Sequence, residues 1–189
     1  MYLLANNQPN LYHYDKEFTE LIQLHHKKKL PNKILLSGPK GIGKSTIAYH
    51  LINYILSINE EFSYDLKNLR INTKNKSFKL ILNKTHPNFT LVDVDAEKKN
   101  IDIKQIRDLI INLNKSSFND KPRFVLIDNI EFLNLNSINA LLKTLEEPSE
   151  NVFFILIDHN SKNLLPTIKS RCLEFKIFLS NKNCIDTIN

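Results

Sequence analysis

All three glycines of this chain fall within six residues, Gly38-Pro39-Lys40-Gly41-Ile42-Gly43, and Lys44-Ser45-Thr46 follows directly. An ordinary chain of this length carries about thirteen glycines, so the three present mark positions where a side chain is not tolerated. The pattern is that of a phosphate-binding P-loop. Successive backbone N–H groups must turn inward toward phosphate oxygens, and residues without Cβ reach those dihedrals at least cost. In such a loop Lys44 neutralises the β- and γ-phosphates and the Ser45 hydroxyl ligates Mg²⁺. The expected nucleotide-binding residues are therefore Gly38, Pro39, Lys40, Gly41, Ile42, Gly43, Lys44, Ser45 and Thr46.

The flanks carry the same message. Residues 33–37 form a short apolar run that reads as a buried strand, and 46–56 repeat Ile47, Leu51 and Ile55 at helical spacing. Strand, loop and helix thus follow in the order a P-loop needs, and the helix N-terminus adds its own attraction for a phosphate.

Further along, 18–24 reads as a helix running into three lysines, which complement its C-terminal dipole. From 59 to 84 the pattern weakens, and a short helix or an ordered loop is expected. A strand is expected over 89–94. Asp102 and Gln105 form a capping box for a helix whose apolar face is Ile103, Ile106, Ile110 and Leu113. The unbroken apolar runs 124–127 and 152–157 read as strands buried on both faces. Between them, Asn136 is expected to cap a helix with Ile138, Leu141, Leu142 and Leu145 inward, stopped by Pro148. This alternation predicts an α/β fold, a three-layer doubly wound parallel sheet with its ligand at the C-terminal strand ends.

The net charge of +6 has two readings, an acidic partner such as nucleic acid or a compositional excess of lysine. No apolar stretch is long enough to span a bilayer, and the N-terminus lacks the features of a signal peptide, so a cytoplasmic protein with no membrane partner is expected. Two cysteines and six scattered histidines offer no zinc-ligand spacing.

P-loop proteins need an acidic residue at the end of a neighbouring strand to hold the magnesium shell, and Asp128 has that place. Ser45 and Asp128 are the expected Mg²⁺ residues. The next residue is Asn129, whose amide orients water but cannot accept its proton. Glu131 stands two residues further along a chain that is leaving the strand. Binding of nucleotide with weak or absent turnover is therefore the expectation.

Two later segments, Asn139-Ala140-Leu141-Leu142-Lys143-Thr144-Leu145-Glu146-Glu147-Pro148 and Ser170-Arg171-Cys172, resemble motifs of the AAA+ subunits of the bacterial DNA polymerase III sliding-clamp loader. Leu30-Pro31-Asn32, His86-Pro87-Asn88 and Asn129 belong to the same resemblance, which covers roughly 9–178. It implies an AAA+ type of P-loop domain over 1–178, with 179–189 as the start of a lid domain or tail. It also implies ATP as nucleotide, and as partners the gamma/tau and delta subunits, the sliding clamp and primer–template DNA. By the same resemblance Arg171 is an arginine finger acting on a neighbour's ATP, and Arg107 and Lys143 contact the DNA backbone. The four cysteines of the zinc module found in many such subunits are missing between 59 and 84, so no zinc is expected. At the end of the 152–157 strand, Asp158 and His159 replace the small polar residue that commonly reads the γ-phosphate. Two other classes compete: a self-sufficient AAA+ ATPase of DNA metabolism, against which Asn129 argues, and a small-molecule kinase, for which nothing after Asn136 supplies a second substrate pocket.

Overall fold

The computed structural model describes residues 4–95, 97–115, 119–147 and 151–178. Five strands form one parallel sheet: β1 (Lys33–Ser37), β2 (Phe89–Val92), β3 (Arg123–Ile127), β4 (Val152–Asp158) and β5 (Leu173–Lys176), in the order β2-β3-β4-β1-β5. Between them run α1 (Asp15–His26), α2 (Lys44–Leu56), α3 (Lys76–Leu82), α4 (Ile103–Leu113), α5 (Leu135–Glu146) and the single turn α6 (Pro166–Lys169).

The two-residue side-chain period of the strands separates two cores. Ile34, Leu36, Phe124, Leu126, Ile155 and Ile157 face a layer built from α1, α2 and α3. Leu35, Val125, Ile127, Phe154 and Leu156 face α4, α5 and α6 on the other side. Burying one such side chain is worth roughly 1.5–3 kcal/mol, so a one-residue slip of any central strand would exchange the two cores at prohibitive cost. This is the expected three-layer α/β sandwich, with the glycine-bearing loop between its strand β1 and helix α2.

Several local expectations change. Asn134, not Asn136, caps α5: its side-chain oxygen accepts from the Ser137 N–H at 2.8 Å, and the helix starts at Leu135, earlier than its apolar stripe. Pro148 lies outside the described residues, as do 179–189. Strand β2 stops at Val92 because Asp93 turns away to bond Asn129 and the Val94 N–H. β5 was not anticipated; only Glu174 and Phe175 of its four residues are even half-buried, so it carries no apolar run.

Helix α2 is buried nearly all round, eleven of its thirteen residues among them, because the segment 57–75 wraps its outer side. His50 takes the Tyr64 hydroxyl at Nδ1 (2.7 Å) and meets the Gln8 carbonyl at Nε2 (3.1 Å), while Asn53 donates to Asn75. Asn75 also caps α3, accepting from the Phe78 N–H at 2.6 Å, and ties the loop by donating to the Phe62 carbonyl. The weakly patterned stretch thus folds as an ordered loop and a short helix. At their C-terminal ends three helices meet cations brought by other elements: Lys121 on the Leu56 carbonyl, Lys33 on Leu145, and Arg123 on Asn112, Leu113 and Lys115.

Candidate nucleotide-binding site

The loop after β1 turns on its glycines. Gly38 (φ 150°) passes so close to β5 that a Cβ would stand 2.5 Å from the Ile177 carbonyl oxygen, and Gly43 (φ 93°) has the Tyr14 ring 3.1 Å from its Cβ position. A side chain at Gly38 would collide with backbone, and one at Gly43 would be strained by the left-handed φ and crowded by the ring. The Tyr14 hydroxyl also donates to the Ile42 carbonyl, bracing the loop from α1's leading edge. Gly43 precedes α2 with no side-chain cap, so the first-turn N–H groups of the helix open into the loop.

Lys44 is almost fully buried and donates to the Gly38 and Pro39 carbonyls at 2.8 and 2.6 Å. Burial pulls its ammonium below the usual lysine range, opposed by the charges of Asp128, Glu131 and Asp158. Asp128, one residue past β3, accepts from the Ser45 hydroxyl at Oδ2 (2.7 Å). Its Oδ1 meets His159 Nε2 at 2.7 Å and the Asn129 N–H at 2.8 Å. Burial would raise this carboxyl, but the hydrogen bonds from His159 and Ser45 outweigh it and hold Asp128 below the ordinary range. Ser45 and Asp128, 83 residues apart in sequence, are thus one hydrogen-bonded pair at the floor of a cavity of about 490 Å³ that Lys40, Gly41, Lys44 and Thr46 also line. A second cavity of about 200 Å³ lies between Leu11, Tyr12, His13 and the loop at Ile42 and Gly43.

Three acidic residues at the site have partners or burial that the sequence does not report, and one of them, Asp93, was missed altogether. Asp93 accepts from Asn129 Nδ2 at 2.7 Å, and burial raises its carboxyl pKa; its one legible signal was an acidic residue directly after an apolar strand. Glu131 is buried and faces the other strand: its Oε1 accepts from the His159 N–H and the Ser161 hydroxyl, while Oε2 has no partner. It fixes the turn that carries His159. Asp158 belongs to β4 itself, buried and raised in pKa by that burial.

Arg171 stands apart from this cluster. It lies two residues before β5, whose Leu173 is in register with Ile34 of the parallel β1, whereas the P-loop leaves the other end of β1. The two sites lie at opposite ends of the same strand pair, about 16 Å of strand apart. Arg107 on α4 and Lys143 on α5 are exposed, on neighbouring helices of the layer opposite α2. Among the described residues no cluster of His, Cys, Asp and Glu is placed to hold a metal ion by itself, and no helix is long and apolar enough to cross a membrane.

A family model described as DNA polymerase III, delta subunit, matches residues 14–180. The chain belongs to this DNA polymerase III family. It is 34% identical over 152 residues to the DNA polymerase III subunit delta' of Pseudomonas aeruginosa, covering 80% of this chain and 44% of that one. It is 32% identical over 151 residues to the subunit gamma of Buchnera aphidicola from Schizaphis graminum, covering 79% and 39%. The chain spans about half the length, or less, of these delta' and gamma relatives. In fold it is similar to the Thermotoga maritima DNA polymerase III gamma subunit-related protein, with a TM-score of 0.58 at 24% identity over 86% of this chain and 47% of that one. The Thermotoga maritima RuvB Holliday junction branch migration motor is similar at a TM-score of 0.56 and 17% identity, covering 98% and 53%.

Proposed function

We propose that this chain is a clamp-loader subunit of the delta' kind, which holds Mg–ATP in its P-loop, turns it over slowly, and lends Arg171 to the nucleotide of a neighbouring subunit. The observation that carries the reading is the Ser45–Asp128 hydrogen bond on the floor of a glycine cradle that no side chain fills. Hydroxyl and carboxylate on adjoining elements are the donor set that magnesium takes beside bound phosphates. Residues and group fit, and the ion would supply neutralisation of the β- and γ-oxygens.

The chain's own groups divide the remaining work. The loop N–H groups and the α2 N-terminus bind the phosphates, with Lys44 exchanging the Gly38 and Pro39 carbonyls for phosphate oxygens. The base rests against 11–13, where aromatic and imidazole faces line the smaller cavity. Turnover is slow because the residue after Asp128 is an amide already committed to Asp93. The placement of Arg171 at the far end of the sheet supports action in trans, since its side chain is too short to return to this chain's own P-loop. Arg107 and Lys143 would meet primer–template DNA through phosphates, which position without reading sequence. The gamma/tau and delta subunits and the sliding clamp complete the assembly, in the cytoplasm. On this reading residues 1–178 are the nucleotide domain and 179–189 the start of a lid domain or tail.

The test is titration with a fluorescent ATP analogue in Mg²⁺. Wild-type protein should bind saturably and Lys44→Ala should lose at least about tenfold in affinity, since a charge-assisted contact to phosphate is worth roughly 1.5–3 kcal/mol. Equal binding by the two proteins would refute the site.

A further inference from the structure

The guanidinium of Arg171 is anchored within this chain. Nε and Nη2 both donate to Glu146 Oε1, at 3.2 and 2.6 Å, and Nη1 donates to the Thr167 carbonyl at 2.9 Å. Every nitrogen of the group has a partner, and the side chain is only 32% exposed. Glu146 is the last residue of α5 and Thr167 lies in α6, so two elements of one layer grip the group between them.

A surface ion pair of this kind contributes little to stability, yet it fixes a flexible side chain. A cation that stabilises charge developing on a transferring phosphoryl group is effective in proportion to how far its geometry is set beforehand. A guanidinium has five N–H donors. Three are engaged here, leaving two for an acceptor outside the chain. The Thr167 carbonyl is the more telling partner, since a backbone acceptor cannot swing away as a carboxylate can, and the grip therefore presents the group instead of storing it.

We propose that Glu146 is the positioning residue for Arg171, holding the guanidinium so that its two remaining N–H groups meet phosphates bound by the adjacent subunit. This rests on the reading of Arg171 as acting in trans. The measurement is DNA-stimulated ATP turnover by a loader reconstituted with this protein as wild type, Glu146→Ala, Glu146→Gln or Arg171→Ala. Glu146→Ala should lower kcat about tenfold while leaving KM for ATP unchanged. Glu146→Gln, whose amide oxygen accepts the same two hydrogen bonds, should recover most of that loss. The thermal unfolding midpoint of each Glu146 variant should match wild type. Turnover by Glu146→Ala equal to wild type overturns the proposal, and faster turnover would mean that Glu146 restrains the arginine. A loss that Gln does not rescue, or one accompanied by a lower unfolding midpoint, would make the contact structural. If Arg171→Ala itself turns over normally, the reading of Arg171 in trans fails, and that outcome is separate from any result at Glu146.

Discussion

At Asn129 one side chain settles both chemistry and geometry. Its backbone is left-handed (φ 56°), a conformation that asparagine tolerates better than most residues, and its amide donates to Asp93 across the ends of β2 and β3. Replacing it by glutamate to restore a proton acceptor would therefore set two carboxylates at hydrogen-bond distance. Asn129→Glu alone is expected to lose about 1–3 kcal/mol of stability and to gain no turnover. Asn129→Glu combined with Asp93→Asn re-forms the hydrogen bond with donor and acceptor exchanged. The double variant should recover that stability and hydrolyse ATP faster than wild type, by up to the 10²-fold or more that general-base help is worth. Denaturant unfolding and steady-state phosphate release check both halves, and a single variant as active as the double one would show that Asp93 is irrelevant. The P-loop and Asp128 were legible in sequence because their residue types are local and their spacing fixed. Asp93, Glu131 and His159 were not, because each acts through a partner some 30 residues away, which periodicity and motif do not report.

Among the elements, legibility followed burial pattern. Strands β1, β3 and β4 announced themselves as continuous apolar runs, and the α4 capping box was visible as Asp102 and Gln105. β5, at the sheet edge, has its two end residues exposed and its two middle ones only half-buried, and α3 is a short helix held by caps more than by an apolar face. Asn75 does the holding: it caps α3, donates to Phe62 and accepts from Asn53, all while fully buried. Asn75→Ala should cost about 2–3 kcal/mol, a lost cap plus stranded buried partners. Asn134→Ala, which removes only an exposed cap from α5, should cost about 1 kcal/mol. Urea unfolding of the two variants tests the contrast. Equal costs would show that the 57–75 segment folds independently of its asparagine tie.

For the whole molecule, two histidines outside the nucleotide site couple stability to acid. His50 and His86 are each pushed down to about 4, chiefly by burial. The Gln8 carbonyl partly offsets this at His50 and the Glu60 charge does so at His86, where Lys121 and Lys76 add to the depression. Both are neutral when folded and titrate near 6.5 when unfolded, so between those values the unfolded chain binds more protons. Stability is therefore whole above pH 6.5 and falls as pH drops toward 4, by an amount on the order of a few kcal/mol. Thermal unfolding across that window should show the decline, and a His50→Gln variant should show a shallower one. A flat profile would mean that neither ring is desolvated. The close passage of Gly38 beneath β5 has a further consequence. Ile177 donates its N–H to Ser37 and lays its carbonyl where a Gly38 side chain would be, so the chain leaves the sheet directly over the first residue of the phosphate loop. With backbone against backbone at that point, the phosphate loop and the end of β5 are mechanically coupled: a shift of one at Gly38 has to be met by a shift of the other at Ile177.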